Sequence, residues 1–136
     1  MMRKILPLFL IFLVACQPKM TETEVPTDIQ DYSQPMAENI LTSLVDDDYA
    51  SFHKDFSSTM DSAINEETFQ SIQQSILDTV GEYQSITYQQ TTLEDGYLVS
   101  YYSIIFSEGE LSMRLVLSPE APYQIEGFWF PDFPTE

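Results

Sequence analysis

The chain has 136 residues, with 22 Asp plus Glu against 5 Lys plus Arg and a formal charge of −17, which leaves little cationic surface for nucleic acid. The length suits one domain, while 43% hydrophobic and 13% aromatic content supply a core and argue against wholesale disorder. One Cys and one His exclude a Cys-rich zinc centre, a multi-histidine metal site and a disulfide within the chain, so no metal or cofactor is expected.

Met1-Met2-Arg3-Lys4 carries two of the five basic side chains and precedes an apolar run, Ile5 to Ala15, broken only by Pro7. These 11 residues are too few to span about 30 Å of hydrocarbon, which takes roughly 20, so the run reads as an export signal. Leu13-Val14-Ala15-Cys16 then places a small residue before a cysteine and resembles the lipobox of bacterial lipoproteins. The resemblance implies recognition of Leu13, Val14, Ala15 and Cys16 by a signal peptidase, cleavage ahead of Cys16, a diacylglycerol on its sulfur and usually a further acyl chain such as palmitate on the new amino group. One acyl chain gives marginal membrane binding, whereas two or three make a stable anchor at ~0.8 kcal/mol per buried methylene. The alternative is an ordinary cleaved signal whose cysteine stays free or pairs between chains. Residues 1–15 are thus the expected lipoprotein signal peptide, and the location is the extracytoplasmic face of a bacterial membrane, outer or cytoplasmic. Losing them removes Arg3 and Lys4 and no acid, moving the charge from −17 to −19, so lipid on Cys16 rather than a basic patch must hold the membrane.

Residues 16–34 are rich in Thr, Glu, Pro, Gln and Asp without periodicity and read as a lipidated disordered tether. The folded domain is expected over 35–136. Ser33 to Pro35 suits a helix start, and Ala37, Ile40, Leu41, Leu44 and Val45 make one apolar stripe. Asp46-Asp47-Asp48 closes that helix, with Asp47 or Asp48 capping a short second one that would bury Tyr49, Phe52 and Phe56. Asn65-Glu66-Glu67 opens a third helix whose buried stripe is Phe69, Ile72, Ile76, Leu77 and Val80, and Gly81 stops it.

After Gly81 the period changes to two. Tyr83 to Leu93, Tyr97 to Phe106, Glu110 to Ser118 and Tyr123 to Phe130 read as four strands joined by short connections, hence an antiparallel meander. The fold class is α+β, with N-terminal helices covering one face of a curved four-stranded sheet. The strand at 97–106 is apolar on both sides: Leu98, Tyr102, Ile104 and Phe106 face one way, Tyr97, Val99, Tyr101 and Ile105 the other. A sheet of that kind needs a second cover, a homodimer or another protein.

The helices, the Gly81 stop and a meander closing on Ile125-Glu126-Gly127-Phe128-Trp129-Phe130-Pro131 resemble the cone of the nuclear transport factor two-like, or cystatin-like, superfamily. More narrowly, Asp47-Asp48-Tyr49, Phe56-Ser57 and Asn65-Glu66-Glu67 resemble an uncharacterised domain family of secreted bacterial proteins and lipoproteins. The match covers about residues 36 to 131 and consists of packing and turn features, so it implies a fold rather than a chemistry.

No catalytic residue is assigned. His53 is expected on the side of its helix away from Tyr49 and Phe56, and no nucleophile motif accompanies it. Three consecutive acids do not make a calcium loop. Arg114, the only cation after Lys54, is expected to meet a neighbouring acid or, alternatively, to form an anion site. Tyr88, Tyr102 and Trp129 are candidates to line the mouth of the cone, with core packing as the other possibility. The leading expectation is a non-enzymatic domain that binds a protein or envelope component through its sheet; the alternatives are a small-ligand binder and an isomerase or hydratase built on an inward carboxylate and a tyrosine.

Overall fold

The computed structural model describes residues 24–134, so the signal segment and Leu13, Val14, Ala15 and Cys16 lie outside the described residues. Four helices precede four strands: α1 (Ile29–Asp46), α2 (Tyr49–Phe52), α3 (Ser58–Ala63), α4 (Glu66–Val80), β1 (Tyr83–Glu94), β2 (Tyr97–Phe106), β3 (Gly109–Leu117) and β4 (Ile125–Trp129). The strands form one antiparallel sheet in the order β1-β2-β3-β4. This is the expected α+β meander.

α1 begins at Ile29, not near Pro35, so the stretch read as tether through Gln34 is helical from Ile29 onward. A proline in a helix interior costs about 3 kcal/mol, which is why Pro35 reads locally as a first-turn residue. Contacts across the fold outweigh that cost. Ile29 is buried, Ser33 is fully buried, and the Ser33 hydroxyl hydrogen-bonds the Tyr102 hydroxyl in the core. Burying one Ile side chain contributes about 1.5–3 kcal/mol, and the hydrogen bond roughly another 1.

Asp47, at φ 55, ends α1, and Asp48 caps α2 by accepting from the Ser51 amide and, at 2.7 Å, the Ser51 hydroxyl. Those bonds, the side-chain one first, hold the Asp48 carboxyl below its usual range. The unanticipated α3 has only Met60 as a buried residue, too little for a periodicity signal. It depends on Ser57, whose hydroxyl accepts from the Met60 amide and donates to Glu126 Oε2 at 2.8 Å, tying the helix to β4. Asn65 caps α4 through the Thr68 amide.

Asp95 (φ 50) and Gly96 (φ 82) make the two-residue turn between β1 and β2, a pair of positive φ angles that matches strand twist. Two irregularities in β1, between Tyr83 and Ser85 and between Tyr88 and Gln90, bend the sheet. Its inner face carries Leu98, Tyr102, Ile104, Leu111, Met113, Leu115 and Leu117 against Ala37, Ile40, Leu41, Phe52 and Phe69 from the helices. Val45 departs from its expected place and is 37% exposed, while Tyr49 and Ile72 are only partly buried. Tyr123 is not in β4; it packs edge-on against Tyr32 at 5.1 Å.

Burial pushes the Tyr102 phenol up to about 12, with the Ser33 and Ser100 hydrogen bonds opposing it. Its neutral form is therefore favoured in the fold, and this contribution is complete below pH 10 and is lost as pH rises from 10 toward 12. Tyr102→Phe is expected to destabilise by about 1–3 kcal/mol, because Ser33 loses its partner, and to flatten that alkaline loss. Urea unfolding at a series of pH values checks both; an unchanged alkaline slope contradicts the assignment.

Candidate functional site

The helices cover only the inner face of the sheet, and the outer face is built by the opposite parity of each strand. Tyr101, Arg114 and Trp129 are direct cross-strand partners on β2, β3 and β4. The Arg114 guanidinium carbon lies 4.5 Å from the Trp129 ring centre and 5.5 Å from that of Tyr101. Its Nη2 donates to Glu94 Oε1 at 3.1 Å, while Glu94 Oε2 accepts from the Tyr101 hydroxyl and, at 2.8 Å, from the Thr92 hydroxyl. Arg114 is thus an ion-pair residue set between two aromatic faces, a geometry that a lysine does not reproduce. Arg114 Nε is enclosed without a hydrogen-bond partner.

The Glu94 carboxyl is held below its usual range, first by the Tyr101 hydroxyl, then by Thr92 and Arg114. A lowered folded pKa means that the cluster contributes stability above the ordinary glutamate range and loses it as pH falls. Trp129 is the sole tryptophan, so its fluorescence reports the cluster directly. An acid transition is expected in the wild type and absent in Glu94→Gln; the same transition in both would refute the link.

Around this cluster, Tyr97 and Ile105 are each 44% exposed and Trp129 is 41% exposed, whereas Val99 is buried. The two-sided character of β2 is therefore present as expected, with Leu98, Tyr102, Ile104 and Phe106 inward.

Tyr88, Tyr102 and Trp129 do not line one mouth. Tyr88 and Tyr102 meet edge-on at 5.6 Å on the inner side, but Trp129 pairs with Arg114 and lies on the outer face. Residue type alone does not set a face, because one position of strand register reverses it. Tyr102 is core, bonded to Ser33, and the Tyr88 hydroxyl bonds Thr91 at 2.8 Å, which in turn bonds Ser100 at 2.7 Å. Ser33 and Ser100 are polar partners that only spacing marks in the sequence: Ser33 keeps helical spacing with Ile29 and Ala37, and Ser100 shares the parity of Leu98 and Tyr102.

His53 also differs from expectation. Its ring stacks on Tyr49 at 4.5 Å, its Nδ1 lies 2.6 Å from the Tyr49 carbonyl, and its Nε2 is 4.0 Å from Asp61. The helix stops at this residue, so ideal helical angles do not place its side chain. Among the described residues no three His, Cys, Asp or Glu side chains converge as metal ligands. Among the described residues the buried polar side chains are those of Ser33, Ser43, Ser57 and Ser100. A separate open groove of about 280 Å³ runs between α4 and the segment after β4, walled by Ile72, Ile76, Phe130 and Phe133 with Ser71 and Ser75 at its side.

The fold and this surface define a small α+β domain with a helix-covered inner sheet face and an aromatic, ion-paired outer one. Residues 37–128 match the family model of DUF3887, described as a protein of unknown function, and the chain belongs to that family. No curated protein and no solved structure matches it. Among the described residues no helix is long and apolar enough to cross a membrane.

Proposed function

We propose that this chain is a lipid-anchored domain of the bacterial envelope, with a cone of the nuclear transport factor two-like kind, that binds a protein or envelope component on the outer face of its sheet. The observation that carries this reading is the exposure of Tyr97, Ile105 and Trp129 together on a face that no helix covers. Aromatic side chains fixed on rigid strands supply contact area at low entropic cost. Binding requires no inward carboxylate, which the isomerase or hydratase alternative does.

The lipobox-like tetrad ending at Cys16 supports the anchor. From Cys16 to Val25, which packs on the core, the chain reaches at most ~30 Å, so the domain would work close to the membrane.

Photo-crosslinkers at positions 97 and 105 of the full chain in living cells, with position 74 on α4 as control, test the reading. A common neighbour captured from 97 and 105 but not from 74 is expected; no neighbour specific to the sheet positions would end it. Cys16→Ala is expected to move the chain out of the membrane fraction. A second reading, a small apolar ligand, has the α4 groove in its favour, and it predicts that a solvatochromic fatty-acid probe loses binding in Ile72→Asp.

A further inference from the structure

The two ends of the outer face carry acids that no cation answers among the described residues. At the β1–β2 turn Asp95 is exposed beside Glu94, and Glu94 already spends its charge on Arg114. At the other end Glu110 is exposed and pairs across the sheet with Ile105. Asp132 reaches the same end of β3, its carboxylate accepting from the amide of Ser112, two residues from Glu110, at 2.9 Å. Between these ends β2 presents Tyr97, Tyr101 and Ile105, a track of about 30 Å for ten residues at the usual strand rise. The face therefore reads, end to end, as acid, aromatic and apolar centre, acid.

Resting on the binding proposal above, we propose that the occupant of this face is a basic polypeptide segment, cationic at both ends of an apolar centre, and not a second copy of the chain. Charge complementarity selects it. Two copies stacked on this face would each bring the Asp95 and Glu110–Asp132 ends, on chains that are each formally −17, so every rim contact would be acid against acid. The apolar centre distinguishes such a segment from a purely cationic polymer, which leaves Tyr97 and Ile105 in water. Lysine or arginine side chains from the partner also find aromatic faces beside the acids.

The test uses the full chain in detergent and follows the fluorescence of Trp129. The probe is a synthetic nine-residue peptide with two lysines at each end of an alternating valine-threonine centre. Its comparators are the same peptide ended by glutamates, and nonalysine. Saturable binding of the lysine-ended peptide alone is expected, weakening with salt, lost in Ile105→Asp, and about tenfold weaker in the Asp95→Asn, Glu110→Gln double variant. These acids are exposed, and Asn tolerates the positive φ of position 95, so the double variant keeps the fold.

Equal binding of the glutamate-ended peptide, or of nonalysine with no dependence on Ile105, overturns the inference. Absence of binding by any peptide also overturns it. A concentration-dependent dimer that buries Trp129 and excludes the peptides overturns it in favour of a second copy. In each of these cases the sheet-face reading stands if crosslinks from positions 97 and 105 still recover a neighbour, and falls with the inference if they do not.

Discussion

Phe52→Ala is expected to lower the unfolding free energy by about 3–5 kcal/mol, the usual range for deleting a buried aromatic ring. Phe52 has no solvent exposure, and its ring sits 4.8 Å from Phe69 on α4, 5.2 Å from Phe56 and 5.9 Å from Phe128 on β4. A four-residue helix has no stability of its own. α2 therefore exists because this ring joins it to α4 and β4 at once, and truncation leaves a void whose walls belong to three different elements. Phe52→Leu retains much of the apolar volume and is expected to lose less than half as much. Calorimetry or urea unfolding measures the difference; a Phe52→Ala loss below about 1 kcal/mol would mean that the site collapses freely and that the aromatic cluster is not the joint between helices and sheet.

The second large effect is expected at Gly81, where two separate penalties coincide. Its backbone is at φ 82, ψ −151, a region that is essentially glycine's alone. A Cβ there would also lie 2.0 Å from the Ser107 hydroxyl oxygen, which accepts from the Glu82 amide and helps fasten the end of α4 to the β2–β3 turn. Gly81→Ala should thus lose about 1–3 kcal/mol from backbone strain, and more from displacing Ser107. Gly96 also has φ 82 but sits in a two-residue turn, where a left-handed residue costs about 1–2 kcal/mol, and an added Cβ there meets nothing within 4 Å, so Gly96→Ala is expected to lose less than Gly81→Ala. Thermal unfolding of both variants checks the contrast. The steric contribution is tested by the further replacement Ser107→Ala in the Gly81→Ala background, which should recover part of the loss; no recovery would remove the contribution assigned to Ser107.

The surface proposals and these core predictions draw on different parts of the chain. The alternation of Leu111, Met113, Leu115 and Leu117 assigns an inward face without reference to any other strand, and all four are buried. The same holds for Ala37, Ile40, Leu41 and Leu44, and for the turns at Gly81 and Gly96. Arg114 was legible as a residue that needs an acid, but not which acid. Glu94 is 20 residues away, and it meets Arg114 only because β1, β2 and β3 align in one register.

Where local pattern and structure part, a distant residue or a helix end is the reason. Ser33 and Pro35 form a good local helix start, yet the helix continues back to Ile29 because Tyr102, 69 residues along the chain from Ser33, bonds its hydroxyl. Trp129 shares its aromatic character with Tyr88 and Tyr102, but strand register sends it to the other face. An ideal helix turns His53 away from Tyr49, but α2 ends where His53 stands.

Neighbouring residues alone carry the acid excess, the lipobox-like Cys16, the placement of helices before strands, the turn positions and the two-sided nature of β2. Each is written in neighbouring residues, as a period, a spacing or a backbone requirement. Where α1 begins, which acid holds Arg114, and the bracketing of the exposed aromatic surface by acids follow from contacts between distant segments. Those outcomes depend on which distant residues come to face one another, and side-chain burial and strand register are properties of pairs that no local pattern contains.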